Sequence, residues 1–276
     1  MVFVKQCKGF DSDKVDMPYT WKDWCWSIKY DGHYMQVHVS QAKGVRFFTS
    51  SGKEFYEINL AKRFLEFPDG IYECEFLGKS NGLHGDRKEA AIATTLRTEF
   101  AKGIKSNYPG LKCKVFDIIS PEPFSQRLKL LQAIPNTLST SGLFVGIVRY
   151  ELVGDSPIIP FSKVISDGYE GIYLKSLNHL QKEGKRVRSA IKLKQHPTAD
   201  VVCFDIQLGE GKYAGMIGSL ICKDKDGVVV KVGSGLTDED RSFAHNQYLG
   251  KTIEIAYESF SDTYIHPVFK CVRDDK

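Results

Sequence analysis

The sequence is defined first by what it lacks. No stretch approaches the roughly 20 apolar residues that cross a bilayer. The opening Met1-Val-Phe-Val-Lys5 has no long apolar core of the signal-peptide kind, so an intracellular, cytoplasmic protein is expected. The seven cysteines (Cys7, Cys25, Cys74, Cys113, Cys203, Cys222 and Cys271) are scattered and include no C-x-x-C pair, which argues against a zinc ribbon or a disulfide framework. They read as reduced, mostly buried small hydrophobes. The seven histidines show neither H-x-x-x-H nor H-E-x-x-H spacing, so no tightly bound transition metal is expected. Charge of one sign is nearly absent in excess: 38 basic against 34 acidic residues give +4, which permits a polyanionic partner without singling one out. There is no internal repeat and no low-complexity segment.

What is present is a soluble, globular composition, 42% hydrophobic and 26% charged. At roughly 150 residues per domain, 276 residues suggest two domains. Residues 34–40 alternate, with Met35, Val37 and Val39 on one face. Strands are also expected at 46–49, 71–77, 112–119, 143–150, 172–175 and 190–194. Ile58, Ala61 and Leu65 mark one helix, Ile92, Leu96 and Phe100 a second, and residues 124–133 a third. Strands outnumber helices and short turns join many of them, so the expected class is α+β with antiparallel sheets. Near Gln195-His196-Pro197-Thr198 the texture changes to short strands (201–208, 217–222, 228–232, 252–258, 268–272), one helix near 238–247 and many glycines. That pattern fits a small Greek-key barrel of the OB type, giving domains at 1–197 and 198–276.

Five segments carry candidate chemistry. In Ser27-Ile28-Lys29-Tyr30-Asp31-Gly32 a lysine ends an apolar segment, where partial burial would lower its pKa and free a nucleophilic amine. A solvated strand-end lysine before an Asp-Gly turn is the commoner use of such a segment. In Tyr72-Glu73-Cys74-Glu75-Phe76 the two glutamates share one strand face, which suits Mg²⁺ or a ribose, or simply a solvated sheet surface. Lys114-Val115-Phe116-Asp117 ends a strand with an aromatic, either core or a platform for a base. Glu170-Gly171 enters a strand ending at Lys175. Ser189-Ala190-Ile191-Lys192-Leu193-Lys194 places two lysines on one face, suited to phosphate. Residues 182–194 carry six basic side chains and one acid, the strongest local basic run.

Taken in order, these segments resemble the motif series of the covalent nucleotidyltransferases, which include ATP-dependent DNA ligases, RNA ligases and mRNA capping enzymes. Lys29-x-Asp31-Gly32 looks like motif I, Glu73-Cys74-Glu75-Phe76 like motif III and Phe116-Asp117 like motif IIIa. Glu170-Gly171-Ile172-x-Leu174-Lys175 looks like motif IV, Lys192-Leu193-Lys194 like motif V, and Arg273-Asp274-Asp275-Lys276 like motif VI. The segment from Gly209 to Leu220, with Val232-Gly233-Ser234-Gly235, is similar to the start of the DNA ligase OB domain, and the length matches minimal two-domain ligases of viruses, bacteriophages and bacteria.

The resemblance implies an antiparallel-sheet nucleotidyltransferase (ATP-grasp-like) domain followed by a C-terminal OB-fold β-barrel. It implies an ATP-dependent DNA ligase that seals nicks through lysyl-AMP, with ATP and Mg²⁺ as cofactors and nicked duplex DNA as partner. Nothing in so short a ligase requires more than a monomer. Lys29, Asp31, Lys192 and Lys194 would be catalytic. Ile28, Lys29, Glu75, Phe116, Lys192, Lys194, Arg273, Asp275 and Lys276 would line the nucleotide site, and Glu75 and Glu170 would hold metal. Lys182, Lys185, Arg186 and Arg188 would contact nucleic acid, and a hinge would fall near Gln195 to Asp200. Three expected arginines are replaced, by Tyr34, by Ser50 in the turn Thr49-Ser50-Ser51-Gly52, and by Ile265; Arg46 or Arg87 could compensate. The alternatives are an RNA ligase or capping-type enzyme, or a catalytically inactive OB-fold nucleic-acid-binding protein.

Overall fold

The computed structural model describes residues 2–134, 144–242, 247–257, 259–260 and 262–273. The chain divides into two compact units, Met1–Lys194 and Gln195–Lys276.

The first unit runs β1 (Lys8–Asp11), β2 (Trp24–Lys29), β3 (His33–Ser40), β4 (Gly44–Thr49), β5 (Glu54–Phe55), α1 (Ile58–Phe64), β6 (Gly70–Gly78), α2 (Ile92–Ala101) and β7 (Lys112–Ile118). It continues with α3 (Phe124–Gln132), β8 (Phe144–Ile147), β9 (Glu151–Leu152), α4 (Ile158–Ser166), β10 (Gly171–Ser176) and β11 (Arg186–Lys194). Two sheets result, one of order β1-β11-β10-β2-β9 and one of order β5-β4-β3-β6-β7-β8. The sheets are mainly antiparallel, as expected, with two parallel pairings: β1 with β11, and β7 with β8. These pairings join strands distant in sequence, which local alternation cannot register. Helix α4 and the short strands β1, β5 and β9 were also missed, the strands because two to four residues carry too little period to read.

Alternation explains the six-stranded sheet. Tyr72, Cys74 and Phe76 of β6 join Met35, Val37 and Val39 of β3 in an apolar core covered by Leu60 and Phe64 of α1 and Leu96 of α2. Glu73 and Glu75 emerge on the other face, as their parity requires. The five-stranded sheet has its own cluster around Ile172, Leu174 and Ile191, backed by Val164 of α4. Polar links join the two sheets. Lys175 of β10 pairs with Asp117 of β7 at 2.7 Å, and Gln181 Nε2 donates to Glu73 Oε2 at 2.9 Å.

The second unit contains β12 (Thr198–Leu208), β13 (Ile217–Lys223), β14 (Val229–Val232), α5 (Asp238–Ser242), β15 (Thr252–Ala256), a β16–β17 hairpin (Ser259–Phe260, Tyr264–Ile265) and β18 (Val268–Val272). The sheet order β14-β13-β12-β15-β18 is the five-strand OB arrangement. Its two edges meet in a single bridge between Ser234 and Val268 rather than a full ladder. Val201, Cys203, Leu220, Val232, Ile253 and Ile255 fill the interior. Helix α5 is described as far as Ser242; the rest of the expected helix falls largely on 243–246, outside the described residues. Five of the seven cysteines are buried, and all are free thiols. Among the described residues no helix is long and apolar enough to cross a membrane.

Candidate active site

The site forms where four strands of the five-stranded sheet end together. Gly171, the first residue of β10, lies opposite Lys29 of β2 on one side and Lys194 of β11 on the other. Glu170, immediately before it, therefore projects between two lysines. It pairs with Lys29 Nζ and with Lys194 Nζ at 3.2 Å. Gly171 is required at this crossing: its φ is 156°, and a Cβ there would meet Leu193 O at 2.2 Å. Glu170 is only 2% exposed. Burial by itself would push its carboxyl up, but Lys29 and Lys194 outweigh that and hold it below the ordinary range. Lys192, two residues before Lys194, sits opposite Asp11 of β1, with Nζ 3.5 Å from the carboxylate. Burial draws the Lys192 ammonium pKa down, against the pull of Asp11.

The loop after β2 is pinned rather than free. Asp31 Oδ2 accepts from Gly85 N at 3.0 Å, and Asp31 N donates to Gly82 O at 3.1 Å. Burial raises the Asp31 carboxyl, opposed by the Gly85 bond. Glu75, from the facing sheet, accepts from Gly32 N at 3.1 Å, and burial pushes its pKa up to about 7 against the fields of Lys29 and Arg87. A carboxyl raised on folding adds stability that is full below its unfolded value and lost as pH rises through the folded one. For Glu75 that window runs from the ordinary carboxylate range to about 7. Wild-type melting temperature should therefore fall more steeply with rising pH across this window than that of Glu75→Gln, whose amide oxygen still accepts from Gly32. Parallel melting profiles would sink this assignment.

The structure gathers Lys29, Asp31, Glu75, Glu170, Lys192 and Lys194 in the first unit. Phe116 is half-buried, its ring 6.3 Å from that of Tyr34 and 6.0 Å from Lys175 Nζ. The Ile28 side chain packs against the apolar cluster of the five-stranded sheet. Arg273 lies in the second unit, where it pairs with Glu254 at 2.8 Å; Asp275 and Lys276 fall outside the described residues. Lys182, Lys185, Arg186 and Arg188 are exposed at the opposite end of β11 from Lys192 and Lys194. Among the described residues no three His, Cys, Asp or Glu side chains are grouped for a metal.

Of the two compensating arginines, Arg46 is taken by a bidentate pair with Glu54 (2.9 and 2.7 Å). Arg87 instead acts on Asp31, His33 and Glu75. Tyr34, in the place of an arginine, donates its hydroxyl to Glu73 at 2.9 Å. Burial and the nearby Asp117 push Glu73 up to about 7.

Sequence reasoning missed the buried ion cluster beneath Phe116. Arg127 of α3 grips Asp117 through Nε (2.8 Å) and a second nitrogen (3.1 Å), while Lys175 binds the same carboxylate. Burial opposes ionisation of Asp117, yet Lys175 and Arg127 prevail and its pKa stays low. Asp11 was missed too, because it lies 181 residues from Lys192.

Residues 208–273 match the family model described as a DNA ligase OB-like domain. The DNA ligase of Methanocorpusculum labreanum is 31% identical over 236 residues, covering 80% of this chain and 41% of that protein. The DNA ligase of Methanocaldococcus jannaschii is 28% identical over 294 residues, covering 86% and 50%. The chain thus spans about two fifths to half the length of these relatives. Among solved structures, a Lig E DNA ligase described as binding DNA with a minimal scaffold superposes with a TM-score of 0.73 at 18% identity, covering 99% of this chain and 100% of that one. Chlorella virus DNA ligase-adenylate gives 0.53 at 16% identity, covering 99% of each chain. The resemblance to DNA ligases is borne out, and so is the fold class, an α+β unit followed by an OB-fold unit.

Proposed function

We propose that this chain is an ATP-dependent DNA ligase that seals nicks in duplex DNA through a lysyl-AMP intermediate and an adenylylated 5′-phosphate. The observation that carries the reading is the convergence of Lys29, Glu170 and Lys194 from three adjacent strand ends, with Lys192 beside them. One carboxylate held between two ammonium groups leaves net positive charge where a triphosphate can compete for the lysines. The Lys29 amine, once unprotonated, attacks the α-phosphate, and pyrophosphate leaves. Lys192 and Lys194 offset the charge that develops on the phosphate oxygens. AMP then passes to a DNA 5′-phosphate, and a 3′-hydroxyl displaces it.

Phe116 offers a ring face for the adenine, and Asp31, tied to Gly82 and Gly85, holds the loop that follows Lys29. The donor set fits Mg²⁺, a hard cation that takes one or two carboxylates and draws its other ligands from phosphates and water. Glu75, and Glu170 once the lysines turn to phosphate, would hold it. The ion would supply charge neutralisation on the phosphates. Arg273, Asp275 and Lys276 are assigned to pyrophosphate, and residues 195–200 to the hinge that brings them there.

The test incubates the protein with α-labelled ATP and Mg²⁺, then with a nicked DNA duplex. Covalent label that chases into a sealed strand is the expected result. No label would overturn the nucleotidyltransferase reading. Label from GTP, or sealing of nicked RNA in place of DNA, would move the chain to the capping enzymes or RNA ligases.

A further inference from the structure

The interior of the second unit holds two thiols that the chemistry at Lys29 does not use. Cys203 of β12 lies opposite Cys222 of β13 in their antiparallel ladder, and both are fully buried free thiols. The backbone shows which kind of pair this is. Cys203 N donates to Lys251 O at 3.0 Å and Cys203 O accepts from Gly250 N at 2.8 Å, so both polar groups turn toward the β15 side. Neither is left for β13, and Cys203 and Cys222 therefore form a non-hydrogen-bonded pair of that ladder. In such a pair side chains across a sheet come closest, with Cα atoms about 4.5 Å apart. That lies within the roughly 4.4–6.8 Å that a disulfide bridges.

The two thiols are bonded to each other and are not equivalent. The Cys222 thiol donates to the Cys203 sulfur, which draws the Cys203 pKa below its ordinary value, against the opposing effect of burial. The same bond, together with burial, holds the Cys222 thiol well above its ordinary value. Cys203 in turn donates to Asp205 O at 3.5 Å. Cys203 is thus the readier nucleophile of the two. Between Cys203 and Asp205 the register shifts, and the extra residue of this bulge, Phe204, has its side chain about half exposed. The ladder is interrupted immediately beside the pair.

Among the described residues no other two cysteines stand opposite each other across a strand pair. Cys74 and Cys113 lie on the neighbouring strands β6 and β7, but they face Val115 and Phe76 there. They supply an internal control, being equally buried thiols on adjacent strands without the direct register.

We propose that Cys203 and Cys222 are a redox modification site, a dithiol that a hydroperoxide converts reversibly into a cross-strand disulfide. The Cys203 thiolate attacks one peroxide oxygen, the O–O bond breaks, and the departing hydroxide takes up the Cys203 proton as water. The Cys222 sulfur then attacks the sulfenic acid so formed, the S–O bond breaks, and a second water leaves with the Cys222 proton. The two thiols lose two electrons in all, and the peroxide gains them. Both sulfurs are buried, so the oxidant enters through local opening of the ladder at the bulge. The new bond closes residues 203–222 into a ring around the turn that holds Gly209, Gly211, Gly215 and Gly218. It also ties β12 to β13 at a pair that carries no backbone bond between them. None of the clustered lysines takes part, so the proposal stands apart from the ligase reading.

The experiment uses the full chain carrying Cys271→Ser, which removes the exposed thiol. The folded protein is treated with hydrogen peroxide, unfolded, alkylated at its remaining thiols and mapped by peptide mass. The expected result is the loss of two alkylatable thiols as a single Cys203–Cys222 cross-linked peptide, with both restored by dithiothreitol. Cys74 and Cys113 should remain alkylatable. With Cys222→Ala added, oxidation should stop at an oxygen-bearing Cys203; with Cys203→Ala, Cys222 should keep its thiol. Oxygen on Cys222 in place of Cys203 would overturn the assignment of the two roles. A folded chain that keeps both thiols through the treatment, or that forms the bond only after unfolding in urea, would overturn the proposal.

Discussion

Lys29→Ala is expected to lose covalent labelling by α-labelled ATP on the order of 10³-fold or more, the scale seen when a covalent nucleophile is removed. The alternative, a strand-end lysine in water, would predict almost no change. Three features separate the two. Lys29 is largely buried, it faces the carboxylate of Glu170, and that carboxylate is shared with Lys194. Lys29→Arg should not restore labelling, because a guanidinium keeps its proton at any pH the protein survives and offers no amine nucleophile. Glu170 retains Lys194 in either variant, so the melting temperature should stay close to wild type. Labelling of Lys29→Ala at wild-type level would remove Lys29 from the chemistry and direct attention to Lys192 or Lys194.

The largest stability effect should come from a residue outside the reacting cluster. Asp117 is fully buried and binds Arg127 and Lys175, both also buried. Asp117→Ala leaves two cations in an apolar enclosure of Phe116, Phe124, Tyr150 and Tyr173. Removing one partner of such a pair typically costs about 3–5 kcal/mol. For a unit of this size that corresponds to a fall in Tm of roughly 10 °C. Asp117→Asn, which keeps the shape and one acceptor, should recover part of it. A shift within about 2 °C for Asp117→Ala would mean that water or another group compensates the two cations, and the tie between the sheets at β7 and β10 would lose its assigned weight.

The sequence made the strands with a strong period readable almost residue for residue. Residues 34–40 became β3, 71–77 became β6 and 268–272 became β18, because the pattern of residue types along a strand is local, even though β3 and β6 turn out to be buried on both faces. The same parity put Glu73 and Glu75 on the face away from the core. Lys29, Glu170, Lys192 and Lys194 were legible as members of an ordered series, each beside the glycine or aliphatic residues that shape its strand. Asp11 and Arg127 were not, nor was the pairing of Lys175 with Asp117, since one acidic or basic residue in a charged sequence looks like any other until its partner is placed.

Order along the chain therefore determined the fold class, the resemblance to DNA ligases and which residue types could carry adenylyl transfer. Those follow from local period and spacing, which each segment carries by itself. Tertiary structure decided the rest: that Glu170 lies between Lys29 and Lys194, that Asp117 anchors two buried cations, and that Asp11 meets Lys192. The physical reason is that a charge's energy depends on what lies within a few ångströms. For these residues that distance spans from 10 to 181 positions of chain, and only the registers of the folded sheets and the packing of α3 close it.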